Sequence, residues 1–142
     1  MDANYKLFEH EADVGIRGYG ASVEEAFENG AKAMFSIMVD LEKVDANKDV
    51  EVRCEAEDLE GLFVEWLNQL LAKKDIEGMM YSKFNVTIRR RDNSHNLKGF
   101  ALGEELNHGK HGVKTEVKAA TYHMLKVAQE DGLFIAQCVV DV

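Results

Sequence analysis

Two stretches of this chain carry apolar residues at three- and four-residue spacing. In the first, Val23, Ala26, Phe27, Gly30, Ala31, Met34, Phe35 and Met38 line up on one side of a predicted helix over roughly residues 22–39. Ser22-Val23-Glu24-Glu25 opens it as a capping box: the Ser22 hydroxyl caps the first turn and Glu25 reaches back. In the second, Leu59, Leu62, Phe63, Trp66, Leu67, Leu70 and Leu71 form a wide stripe behind Asp58 as N-cap. Lys73 and Lys74 suit the negative pole of that helix, and Gly78 breaks it.

Elsewhere the period is two. Val50, Val52, Cys54 and Ala56 alternate with Glu51, Arg53, Glu55 and Glu57, and Phe84, Val86 and Ile88 with Asn85, Thr87 and Arg89. Each pattern predicts a half-buried strand. Asp92-Asn93-Ser94 is a turn signal, with Leu97–Gly103 as the hairpin partner beyond it. Tyr5–Phe8 and Val14–Arg17 read as extended segments joined by a turn containing His10-Glu11-Ala12-Asp13. Residues 104–114 read as a polar loop. Thr115–Gln129 fits strand or helix by propensity, but Glu130-Asp131-Gly132 before the β-rich run Leu133–Val142 favours a hairpin. Much of 117–128 is therefore expected to be strand. Two amphipathic helices packed on a largely antiparallel sheet make an α+β fold, expected as a single domain over residues 1–142.

Composition narrows the class. Hydrophobic residues are 46% and charged ones 30% of 142, a globular mixture that argues against disorder. There is no proline, so no proline-rich linker marks a boundary. No apolar run approaches the ~18 residues of a membrane helix. The start Met1-Asp2-Ala3-Asn4-Tyr5-Lys6 lacks the order of a signal peptide. A cytoplasmic location with Cys54 and Cys138 as reduced core thiols is expected. The net charge of −9 disfavours tight autonomous binding of nucleic acid. Arg89-Arg90-Arg91 is a basic run on this acidic chain: it protects a strand end, or it contacts a nucleic acid or an acidic partner. His108-x-x-His111 supplies only two candidate metal ligands, so a solvated loop is the expectation there.

Carboxylate placement carries the candidate chemistry. Asp141 is the only charged residue in Leu133–Val142, and a lone acid among apolar neighbours is costly unless paired, hydrogen-bonded or metal-bound. Asp13 lies in the turn between two strands. If the last strand ends near that turn, Asp13, Asp141 and the main-chain carboxylate of Val142 converge. Such a cluster suits a hard divalent cation (calcium, magnesium or manganese) or a lysine counter-ion, for which Lys118 is the candidate. The alternative is that Asp141 is a solvated strand-end charge and Asp13 a turn-former.

At these residues the chain resembles the archease family over nearly its whole length. The resemblance rests on His10-Glu11-Ala12-Asp13-Val14-Gly15-Ile16, on Glu24–Glu28 with Ala33-Met34-Phe35, and on Asp58–Leu62 with Val64–Asn68. It is most specific at Thr115-Glu116-Val117-Lys118-Ala119-Ala120-Thr121-Tyr122-His123, and it closes with Asp141-Val142. The family usually has threonine at Glu11, glycine at Lys114 and often isoleucine at Val142. What the resemblance implies is an accessory protein without catalytic residues of its own. Its expected partner is the GTP- and manganese-dependent tRNA-splicing RNA ligase. It would promote the ligase's guanylylation and repeated turnover and broaden its use of nucleotides. By the same resemblance Asp13, Lys118 and Asp141 form the functional group, with Asp13, Asp141 and Val142 holding a divalent metal ion. Direct contact with tRNA is left open. The rival readings are a stand-alone divalent-metal-dependent phosphoesterase and a general chaperone or interaction module.

Overall fold

The computed structural model describes residues 4–10 and 13–142. The expectations attached to Glu11, and most of the turn that contains it, lie outside the described residues. In chain order the elements are β1 (Tyr5–His10), β2 (Asp13–Gly20), α1 (Val23–Met38), β3 (Lys48–Ala56), α2 (Leu59–Glu77), β4 (Met79–Arg91) and β5 (Ser94–Glu105). The one-turn helix α3 (His108–His111), β6 (Ala119–Ala120), β7 (Lys126–Glu130) and β8 (Leu133–Asp141) follow. Among the described residues the strands form two antiparallel sheets. One has the order β1-β2-β8-β6, with β7 also paired to β8; the other has the order β3-β5-β4. The α+β expectation is met. No described helix is long and apolar enough to cross a membrane.

The helices begin and end where side-chain chemistry puts them. Ser22 accepts the Glu25 N–H at 3.1 Å, and the Glu25 carboxylate accepts from Ala21, one residue before the cap, at 2.6 Å. Asp58 accepts the Gly61 N–H at 2.7 Å, and Gly78 closes α2 at φ 65°, a left-handed position that favours glycine. Both helices are packed against both sheets, so each is buried on more than the single stripe its period predicts. On α1 this adds Asn29, Ala33 and Ile37, and Asn29 meets the demand of burial by donating to the Tyr19 carbonyl at 2.6 Å. On α2 it draws in Lys74, which lies against Asp75. Trp66, fully buried, donates its indole N–H to the Phe27 carbonyl at 3.1 Å and joins the two helices.

Glycine sets how closely α1 approaches β2. A Cβ on Gly18 would fall 2.2 Å from the Ala26 carbonyl oxygen and from the Gly30 nitrogen, both backbone atoms. The inner face of this sheet is completed by Ile16, Ala136, Cys138 and Val140. By strand alternation Asp13, Gly15 and Arg17 of β2, with Gln137, Val139 and Asp141 of β8, face outward.

Two expectations need correction. Residues 117–128 are not a continuous strand: Ala119–Ala120 and Lys126–Glu130 each pair with β8, and the chain leaves the sheet between them. There the Thr121 hydroxyl and N–H both donate to the Val139 carbonyl, and Met124 takes φ 52°. Residues 104–114 are not simply a solvated loop. His111 is fully buried, its Nδ1 accepting the Asn107 N–H at 3.1 Å and its Nε2 lying 2.9 Å from Glu104, so both nitrogens are spent within the chain. The His108-x-x-His111 pair therefore has no free ligand at His111. The thiols of Cys54, half-buried, and Cys138, buried, are free, and burial pushes both up to about 12.

Around His111, Glu104 is held at about 2 by the Lys110 ammonium first, then by the Asp45 N–H and His111. A depressed carboxyl stabilises the fold above its unfolded value near 4.5, and that contribution is lost as pH falls towards 2. Glu104→Gln is expected to flatten the decline in the urea midpoint between pH 4.5 and 2. Identical slopes for wild type and variant would refute this.

Candidate functional site

The second and the last strand meet in the middle of the larger sheet. β2 and β8 pair antiparallel with Val14 opposite Val140, and one step further along the same register Asp13 stands opposite Asp141. Directly opposed residues share a face, with Cβ atoms about 4.5–5.5 Å apart. The row continues on both sides: position 10 of β1 is opposite Asp13, and Ala119 of β6 is opposite Asp141. The two carboxylates thus sit at one end of the outward sheet face, each half-buried. Neither is in an ion pair among the described residues, where every salt bridge involves other groups. Like charges directly opposite destabilise a sheet unless something compensates them.

Lys118 is brought to the same end by its main chain, its N–H donating to the Asp141 carbonyl at 2.8 Å. Its side chain is exposed and makes no ion pair with Asp13 or Asp141, so the counter-ion role is not filled in this structure. Val142 follows Asp141 on the opposite face and packs against the core. Of the residues singled out in the sequence, the fold therefore brings Asp13 and Asp141 side by side and attaches Lys118 to Asp141 through the backbone.

The donor chemistry can be tested against a divalent ion. Two adjacent carboxylates are hard oxygen ligands, suited to calcium, manganese or magnesium and not to soft-ligand metals. Among the described residues no group of three or more His, Cys, Asp or Glu is placed to hold a metal ion. The donors that the described residues bring together here are the two carboxylates of Asp13 and Asp141, each half-buried.

Asn68 is a residue that the patterning did not single out for a role. It lies on α2, and its side-chain amide meets the main chain of Ala120 twice: Oδ1 accepts the Ala120 N–H at 2.8 Å and Nδ2 donates to the Ala120 carbonyl at 3.1 Å. The amide acts as the neighbouring strand that β6 lacks on this side. That clasp holds Ala119 and Lys118 against Asp141. A polar residue next to the apolar stripe of a helix was the only signal available.

Comparison with known proteins bears on the same residues. The sequence model of the archease protein family matches residues 5–142. Curated proteins named archease are similar over almost their full length. That of Pyrococcus abyssi is 46% identical over 97% of this chain and 98% of its own. That of Thermococcus kodakarensis is 45% identical over 96% and 97%. Among solved structures, a Methanobacterium thermoautotrophicum protein determined in solution superposes with a TM-score of 0.87 at 39% identity, over 99% of this chain and 100% of that one. The crystal structure of a Thermotoga maritima archease, described as a possible chaperone, shares the fold with a TM-score of 0.58 at 22% identity, over 96% of each chain. With a match over nearly every residue and the Asp13–Asp141 end of the sheet inside it, this chain belongs to the archease family.

Proposed function

We propose that this protein is an accessory activator of the GTP- and manganese-dependent tRNA-splicing RNA ligase, working through the paired carboxylates Asp13 and Asp141. Membership of the archease family, with two acids opposed at the sheet end and in no ion pair among the described residues, is what supports the reading. A divalent ion bound there, by Asp13, Asp141 and the main-chain carboxylate of Val142, would supply Lewis-acid charge next to the nucleotide phosphates. The chain's own residues do the rest. The rigid β2–β8 pair presents both carboxylates on one face, and Asn68 fixes the strand that carries Lys118 beside them. Lys118, exposed and in no ion pair among the described residues, would meet a phosphate or an acidic group of the partner. A protein of net charge −9 is drawn to the electropositive surface that a tRNA- and GTP-binding enzyme must present, which speeds encounter more than it tightens binding.

The test is a ligation assay with the ligase far below its RNA substrate, in GTP and manganese, with and without this protein. Many ligations per ligase molecule are expected with it and about one without it. An unchanged number of turnovers would overturn the reading. Phosphoester hydrolysis by this protein alone would instead favour a stand-alone enzyme.

A further inference from the structure

The sheet opposite the carboxylates has a different character. Its outward face is built in rows across β3, β5 and β4. Glu55, Asn96 and Arg89 form one row, Arg53, Lys98 and Thr87 the next, and Glu51, Phe100 and Asn85 the third. Arg91 extends the β4 side by one more outward position. All of these except Glu51 and Asn85 line an open concavity of about 730 Å³.

Four cations border it on a protein whose net charge is −9. Arg53 is paired with Glu51. Arg89, Arg91 and Lys98 are in no ion pair among the described residues, and Glu55 is the only acid lining the concavity itself. Cations thus outnumber acids on this face, with Glu51 and Glu55 the acids that its three rows carry. At one end, on the middle strand, Phe100 is half-buried, and the Lys98 ammonium lies 5.7 Å from its ring centroid. An aromatic face covered only by a flexible lysine offers a stacking platform once the lysine swings to a phosphate. An acidic peptide would use the charges and leave the ring idle; a single-stranded nucleic acid uses both.

We propose that the outward face of the β3–β5–β4 sheet binds single-stranded RNA, with Arg89, Arg91 and Lys98 on phosphates and Phe100 under a base. This surface is separate from the Asp13–Asp141 end, and the proposal does not depend on ligase activation. It also accounts for how an acidic protein can touch RNA: the contact is confined to one face and is weak at a distance.

The test is fluorescence anisotropy with a labelled ten-nucleotide oligouridine. For three phosphate contacts, affinity is expected to fall about 20-fold between 50 and 200 mM salt, a log–log slope near −2. The exposed-site variant R89A/R91A/K98A should lose at least about 10-fold in affinity and most of that slope. Phe100→Leu, which keeps the apolar bulk, should lose about 5-fold or more with the slope unchanged. Asp13→Asn should bind like wild type. Binding undetectable at 50 mM salt and millimolar protein would overturn the proposal. So would full affinity in the triple variant while circular dichroism shows it folded. Equal displacement by a polyglutamate peptide, with Phe100→Leu unaffected, would assign the face to an acidic protein partner and reject RNA.

Discussion

Asp13→Asn is expected to leave the chain folded and to cut ligase turnover in the activation assay by at least about 100-fold, and Asp141→Asn to do the same. The size follows from the roles proposed for the pair: residues that merely orient a metal ligand are already worth about 10–100-fold. The fold should survive because both side chains lie on the outward sheet face and neither takes part in a salt bridge among the described residues. Without a divalent ion, either variant should be more stable than wild type by a few tenths of a kcal/mol to about 1, since a like-charge pair across the ladder is relieved. With the ion the order should reverse. At a concentration 100-fold above Kd, calcium or manganese would stabilise wild type by about 2.7 kcal/mol, several degrees in Tm, and the variants little. A thermal melt with and without calcium therefore reads the carboxylate site independently of the ligase. No calcium-induced shift in wild type would sink the metal reading. Full activation by either variant would sink the functional one.

Asn68→Ala should be strongly destabilising, by about 2–4 kcal/mol in urea unfolding. The change leaves the N–H and carbonyl of Ala120 facing a buried surface with no partner, at about 1–3 kcal/mol for each unmet group. Ala120 is only 6% exposed, so water cannot readily replace the amide. Asn68→Asp keeps the acceptor and loses the donor, and its loss should be intermediate. Amide exchange at Ala120 should accelerate in both variants well before global unfolding. Because Lys118 and Ala119 are tied to Asp141 on the other side of this short strand, activation should weaken in Asn68→Ala even where the protein is fully folded. A stability change below about 0.5 kcal/mol would show that the clasp is incidental.

The helices, the strand at Val50–Ala56 and the final hairpin were legible because each depends on chemistry within a few residues. A 3.6-residue stripe needs only one apolar surface to pack on, Ser22 and Asp58 find their N–H partners three residues away, and Asp131-Gly132 turns the chain with φ of 53° and 83°. The isolated acid in Leu133–Val142 was likewise a local signal, readable as a group in need of compensation. What stood beside it was not. Residues 13 and 141 become neighbours because β8 inserts between β2 and β6, and pairing order depends on how two sheets share the helices between them. The same tertiary logic explains the misread segments. Ala119–Ala120 is a strand by virtue of β8 on one side and the Asn68 amide on the other, so its own residues carry no strand pattern. His111 looked like a loop residue because its burial is made tolerable only by Asn107 and Glu104. The cationic face is similar: Arg89 and Arg91 announce themselves in sequence, but Arg53, Lys98 and Phe100 join them only when three strands align in register. Local periodicity and capping thus determined which elements form. Long-range hydrogen-bond pairing decided which charges face one another and which surface each group shares.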